Sequence, residues 1–174
     1  LVQGAGGMKI CRKEFLDKLV KMFKDSGILV IFDEVMTGFG RTGKMFATDH
    51  LTTKPDIICL AKSLTGGFIP LAATVFSEEI HKVFVDTNFC KTFLHGHSFS
   101  ANPVACAAAL SSLNLFNEDK TFIKIEEISK IHNDYLKKIS KLQNISKIRK
   151  LGTIAAFDFK NISDSYGSLE SHEM

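Results

Sequence analysis

Between Gly27 and the paired carboxylates Asp33 and Glu34 lies an unbroken run of five large apolar residues, Ile28-Leu29-Val30-Ile31-Phe32. The run is far short of the roughly 18 residues a membrane helix needs. A strand that is apolar on both faces needs cover on both faces, which is the pattern of a buried parallel strand. The preceding residues, Arg12 to Asp25, place Phe15, Leu16, Leu19, Val20 and Phe23 on one helical stripe. Gly27 stands where a C-terminal cap belongs. A helix feeding a buried strand is a unit of α/β architecture, with helices flanking a mostly parallel sheet.

The alternation continues. Pro55-Asp56 opens a second short strand, Ile57 to Leu60, and Lys62 follows at once. Gly66-Gly67 and Pro70 turn the chain into a third strand, Leu71 to Phe76. Ser77 caps a short helix through Val83. Asn102-Pro103 begins an Ala-rich helix to about Asn117, whose small side chains permit close packing. Thr121 to about Leu142 is a long amphipathic helix with Ile125, Ile128, Tyr135, Ile139 and Leu142 on one side. Ile154 to Phe159 has strand character, and Asn161 to Met174 is a polar tail.

Composition narrows the function. A chain of 174 residues has room for one core-bearing domain. Residue 1 is Leu, and the strong elements begin almost immediately, so the chain is expected to be a piece of a larger protein. The Gly-rich start has no basic segment of the kind a signal peptide carries. The net charge of +3 is concentrated between Glu118 and Lys150, where nine basic residues face five acidic ones. Mixed signs along a helix mark a solvated face, so neither nucleic acid nor membrane is expected as a partner. Cys11, Cys59, Cys90 and Cys106 lack metal or redox spacing, and no ligand set completes the pair His95 and His97. No metal is expected, and free thiols fit a cytoplasmic protein.

In open α/β sheets, ligands bind beyond the carboxyl ends of the strands. That rule selects Asp33, Glu34 and Lys62. A lysine desolvated behind an apolar strand becomes a usable nucleophilic amine, and a carboxylate ending another needs a cationic partner. Together they suit pyridoxal phosphate: the lysine forms a Schiff base, and the acid keeps the pyridinium nitrogen protonated. On spacing alone the plainer reading, a surface lysine and a loop-capping aspartate, is favoured. A nucleotide-binding loop is disfavoured. Gly38 to Lys44 nearly matches one, but Met45 stands where a Ser or Thr would hold magnesium, and no separate strand feeds the loop.

Longer motifs weigh more. Gln3-Gly4-Ala5-Gly6-Gly7-Met8, then Phe32-Asp33-Glu34-Val35-Met36-Thr37-Gly38-Phe39-Gly40-Arg41-Thr42-Gly43-Lys44, then Leu60-Ala61-Lys62-Ser63-Leu64-Thr65-Gly66-Gly67 resemble the class III aminotransferases of fold type I. Gly43 to Ala47, Pro70 to Thr74, His95-Gly96, Asn102-Pro103 and Cys106 to Leu110 look like the biotin-synthesis subgroup. The resemblance is strong from Leu1 to about Phe116, weaker to about Phe159 and absent in the tail. It implies residues 1–116 as the central part of a cofactor-binding large domain, 117–160 as the long helix and start of a small domain, and 161–174 as a tail.

The resemblance also implies roles. The cofactor is pyridoxal 5'-phosphate. Lys62 is the Schiff-base lysine and proton carrier, and Asp33 pairs with the pyridinium nitrogen. Ser98 stands where the family usually has a threonine that reaches the cofactor phosphate across a homodimer interface. Gly96 lies beside the active site, and Arg41 sits near the substrate mouth, an ion pair with Glu34 or Asp49 being the equal alternative. S-adenosylmethionine is the implied amine donor and 8-amino-7-oxononanoate the acceptor. The alternatives are an ornithine-type or 4-aminobutyrate-type enzyme of the same class, or a non-catalytic remnant. Two departures stand out. His97 replaces a usual proline, which is expected to loosen the loop carrying Ser98, and Ala61 replaces a usual glycine. The phosphate loop, the ring-stacking aromatic and the carboxylate-binding arginine of the family have no counterpart in this chain.

Overall fold

The computed structural model describes residues 1–118 and 120–160. The tail expected at 161–174 lies outside the described residues. A small antiparallel ribbon, β1 (Val2–Gln3) with β2 (Lys9–Ile10), precedes helix α1 (Lys13–Asp25). Helix α1 ends as its sequence requires. The Ser26 amide bonds back to Met22 and Phe23, and Gly27 takes φ +70°, a conformation that costs a residue without Cβ little.

The central sheet has the order β3 (Ile31–Asp33), β4 (Ile57–Leu60), β5 (Ala73–Phe76). β3 and β4 run parallel, with Asp33 opposite Cys59. β4 and β5 run antiparallel, with Leu60 opposite Ala73. The expected parallel pairing is therefore half of this small sheet. The connection over 61–72 turns around Gly66, Gly67 and Pro70 and returns the chain antiparallel beside β4.

The apolar run is less buried than its composition suggests. Regular pairing begins only at Ile31, and Ile28, Leu29 and Ile31 are 51%, 60% and 58% exposed. β3 is the edge of its sheet among the described residues, so these side chains lack the cover that a doubly apolar strand calls for. Asp56 still holds the approach to β3: its Oδ2 accepts the Val30 amide at 2.8 Å, and Oδ1 meets Lys24 at 3.0 Å.

Helix α2 (Glu78–Phe84) leads into an exposed stretch through Ser100. Helix α3 (Pro103–Glu118) starts at Asn102, whose Oδ1 accepts the amides of Val104 and Ala105 at 3.0 and 3.2 Å. Its alanines serve close approach. Ala105 and Ala109 are buried, and Ser112 Oγ donates to the Ser63 carbonyl at 3.4 Å. The main core forms here. Phe39, Leu64 and Ala109 are packed by Phe46, Leu60, Leu113 and Phe116. The Phe39 ring meets Phe46 edge-on at 5.5 Å.

Helix α4 (Thr121–Ile139) packs on an antiparallel hairpin, β6 (Ile145–Leu151) and β7 (Ile154–Phe159). Strand β7 falls where the sequence places it, whereas β6 was not foreseen: its Lys and Arg residues hide an alternation that is also interrupted by a bulge between Ser146 and Arg149. The buried stripe of α4 is also rotated from expectation. Leu136 is buried and Ile125 half-buried, but Ile128 and Tyr135 are exposed, as is Leu142 beyond the helix. Leu136, Ile145 and Ile154 are the buried residues of this unit.

Candidate active site

The carboxyl ends of β3 and β4 build the site. Glu34, the residue after β3, is 2% exposed and anchors the following loop. Its Oε2 accepts from Thr37 Oγ at 2.9 Å and from the Ala47 amide at 2.7 Å, while Oε1 accepts the Thr48 amide at 2.7 Å. A buried carboxylate is tolerated when hydrogen-bond donors replace its water. Glu34 thereby folds residues 35–48 back on themselves and leaves Asp33 at the open end of the strand. Asp33 Oδ1 accepts the Val35 amide at 2.9 Å. His50 closes the loop from its far side, with Nε2 3.1 Å from the Thr42 carbonyl, and its burial lowers the pKa of the ring.

Lys62 opens a 3-10 turn, Lys62–Thr65, directly after β4. Its backbone is left-handed, φ +50°. Such a conformation costs a residue with a Cβ about 1 kcal/mol or more and survives only where its surroundings impose it. Here Leu64 N bonds to the Ala61 carbonyl at 3.1 Å, Gly66 N to the Ser63 carbonyl at 3.0 Å, and α3 covers the turn. An open groove of about 1030 Å³ runs past Lys62 and is lined by Val35, Pro70, His97, Ser100 and Asn102 among others.

The expected residues gather unevenly. Asp33 and Lys62 stand at the ends of two directly paired parallel strands. Both are exposed, so the desolvation expected of them is not supplied by this chain: β3 is uncovered and the groove is open. Asp33 itself lines a smaller cavity of about 230 Å³ with Glu34, Thr37 and Thr48. Ser98 and Gly96 belong to the exposed segment that borders the groove, and neither is among the residues lining it.

Arg41 forms neither of the alternative ion pairs. Glu34 is taken by neutral donors, and Asp49 by the Phe46 amide and Lys54. The Arg41 Nη2 donates to Ser63 Oγ at 3.3 Å, next to Lys62. His97 is tied into a local turn of its exposed segment. Its Nδ1 accepts the Phe99 amide at 3.2 Å, its own amide donates to Ser100 Oγ at 3.2 Å, and its ring lies 5.6 Å from that of Phe99.

Sequence reasoning missed Glu34 as the anchor of the loop. Its signal was the small-residue donor set Thr37, Ala47 and Thr48 within 14 positions, which becomes readable only when the loop closes. Val35 and Ser100 as lining groups left no signal. The donor types suit a flat aromatic aldehyde with a ring nitrogen: an exposed primary amine after β4, in a groove with mostly apolar walls, and a carboxylate at the end of the paired strand β3. Among the described residues no group of His, Cys, Asp and Glu could hold a metal ion, and no helix is long and apolar enough to cross a membrane.

Comparison with known proteins identifies the family and the fold. The family described as Aminotransferase class-III matches residues 1–169. The adenosylmethionine-8-amino-7-oxononanoate aminotransferase of Synechococcus elongatus is 44% identical over 98% of this chain, which spans 39% of that protein. The solved structure of the enzyme of the same name from Methanocaldococcus jannaschii superposes with a TM-score of 0.85 at 35% identity, covering 92% of this chain and 38% of that one. Taurine:2-oxoglutarate aminotransferase from Bifidobacterium kashiwanohense, solved in complex with PLP and glutamate, gives 0.83 at 31% identity, covering 91% and 35%. The chain thus spans about two fifths of the length of its curated relatives. Its fold is that of part of the large domain of a fold type I enzyme, and the chain belongs to the class III aminotransferase family.

Proposed function

We propose that this chain supplies the lysine-bearing part of the active site of a pyridoxal phosphate aminotransferase. The whole protein moves an amino group from S-adenosylmethionine to 8-amino-7-oxononanoate, giving 7,8-diaminononanoate in the cytoplasm as a homodimer. The observation that carries this is the pairing of Asp33 and Lys62 on adjacent parallel strand ends, with Lys62 held at φ +50° beside an open groove. The relatives' names support the substrate pair.

When bound, pyridoxal 5'-phosphate supplies an aldehyde and an electron-withdrawing ring that let an amino group pass between substrates. Lys62 would hold the cofactor through its amine and would carry protons beside it. Asp33 holds the proton of the ring nitrogen. Val35 and Pro70 are apolar walls of the groove. Arg41, beside Ser63, meets substrate at the mouth. Ser98, on the exposed segment, serves the phosphate of a partner copy, with Gly96 allowing close approach of substrate; a Cβ at Gly96 would meet nothing in the chain itself.

The test uses the chain with pyridoxal phosphate, borohydride reduction and peptide mapping. The pyridoxyl group is expected on Lys62 at lower cofactor concentration than on any other lysine, and Asp33→Asn weakens that preference. A label on Lys44 first, or an even spread, overturns the reading. An amine-donor panel on the longest polypeptide that carries this chain separates S-adenosylmethionine from ornithine and 4-aminobutyrate.

A further inference from the structure

The turn joining β6 and β7 touches the Gly-rich loop far away in sequence. Gly152, φ +57°, lies so close to the backbone of Arg41, Thr42 and Gly43 that a Cβ there would overlap all three. Thr153 then makes two hydrogen bonds to one acceptor. Its amide donates to the Arg41 carbonyl at 3.0 Å and its Oγ to the same oxygen at 3.1 Å. On the other side of this turn, His132 of α4 has Nδ1 2.8 Å from the Thr153 carbonyl. Thr153 is thus held between α4 and the loop. The Arg41 guanidinium donates in turn to Ser63 Oγ at 3.3 Å, in the turn that Lys62 opens.

We infer that the Gly152–Thr153 turn is a positioning element for the site: it clamps the Arg41 backbone, and through the contact between Arg41 and Ser63 it restrains the strained turn at Lys62. The connection is continuous, from His132 to Thr153, Arg41 and Ser63, and each link is a directed hydrogen bond. The loop has reason to need an outside clamp. It carries Gly40 and Gly43 at φ +87° and +91°, and glycine loses the most conformational freedom on being ordered. A close backbone contact that only Gly152 permits, with a two-pronged donor beside it, adds to the restraint from Glu34 and His50 at the Arg41–Gly43 stretch. A hairpin read from the sequence as the start of a small domain is thereby part of the lysine's support.

Spatial adjacency alone does not show coupling, so the test is a double-mutant cycle. Amide hydrogen exchange in the Lys62–Thr65 turn is the first readout, independent of any cofactor. The second is the ratio of Lys62 to Lys44 pyridoxyl labelling, which rests on the proposed cofactor role. Thr153→Val removes one donor and keeps shape. It is expected to speed exchange at the Leu64 and Gly66 amides roughly three- to tenfold and to lower the labelling ratio, the size one hydrogen bond allows. Thr153→Ser, which keeps the donor, restores both. Ser63→Ala gives the same effect, and the double variant adds nothing further, whereas a purely structural role for Thr153 gives effects that multiply. By reciprocity Ser63→Ala also deprotects the Thr153 amide, which decides the matter even if Thr153→Val unfolds. Unchanged exchange at Leu64 and Gly66 in Thr153→Val, or an unchanged Thr153 amide in Ser63→Ala, overturns the inference. A lost labelling preference in the parent chain, with the exchange pattern intact, overturns only the cofactor role of Lys62.

Discussion

At the level of single residues, one buried carboxylate holds the loop beside the site. Glu34 accepts three hydrogen bonds in near-complete burial. Replacing one oxygen by an NH2 group points donor at donor, so Glu34→Gln is expected to lower stability by about 3 kcal/mol in urea unfolding. A loss under about 1 kcal/mol would mean that the loop is held elsewhere. Two other groups contribute to the chain's pH dependence. Burial lowers the His50 pKa below its ordinary 6.5. The unfolded chain therefore binds more protons just below that value, and stability falls as pH drops through 6.5. The Val30 amide, and then Lys24, hold the Asp56 carboxyl below its ordinary 3.8. Its contribution is complete above 3.8 and lost as pH falls through the lower folded value. Urea midpoints from neutral pH downward should show the His50 step first, and His50→Gln should flatten that step alone.

Among the elements, α3 shows how a local signal and a tertiary demand coincide. Asn102-Pro103 is a helix start in any context, and the alanines behind it let the helix approach the turn at Lys62. Asn102→Ala removes the acceptor for two amides and is expected to cost about 1 kcal/mol, seen as a lower urea midpoint with an unchanged slope. Because Asn102 also lines the groove, the same change should weaken pyridoxal phosphate labelling of Lys62. Helix α4 teaches the opposite lesson. Its period was legible, but which stripe faces inward was not. The hairpin β6–β7 meets the side carrying His132, Ile125 faces Gly40, and the bulge that shapes the hairpin is not written in a simple alternation.

For the whole molecule, exposed apolar surface governs behaviour. Ile28, Leu29 and Ile31 are exposed at and before the edge strand β3, and Phe89, Phe93, Leu94 and Phe99 are exposed across the segment that carries Gly96 and Ser98. Surface of that kind associates. The chain alone is expected to self-associate with rising concentration in sedimentation velocity and to show no measurable transamination. Placement of reactants can account for about 7–11 kcal/mol of a barrier, and here Asp33 and Lys62 are open to water. A monomer that transaminates S-adenosylmethionine would contradict both expectations.

The sequence by itself determined the α/β class and the positions of α1, β4, α3 and β7, because these rest on local periodicity and caps. Only the tertiary structure decided how buried the apolar run is, that β5 returns antiparallel, that Glu34 folds the loop, and that the β6–β7 turn holds Arg41. Those depend on which distant segments meet. A hydrogen bond between residues 112 positions apart leaves no trace in either segment until the chain has closed.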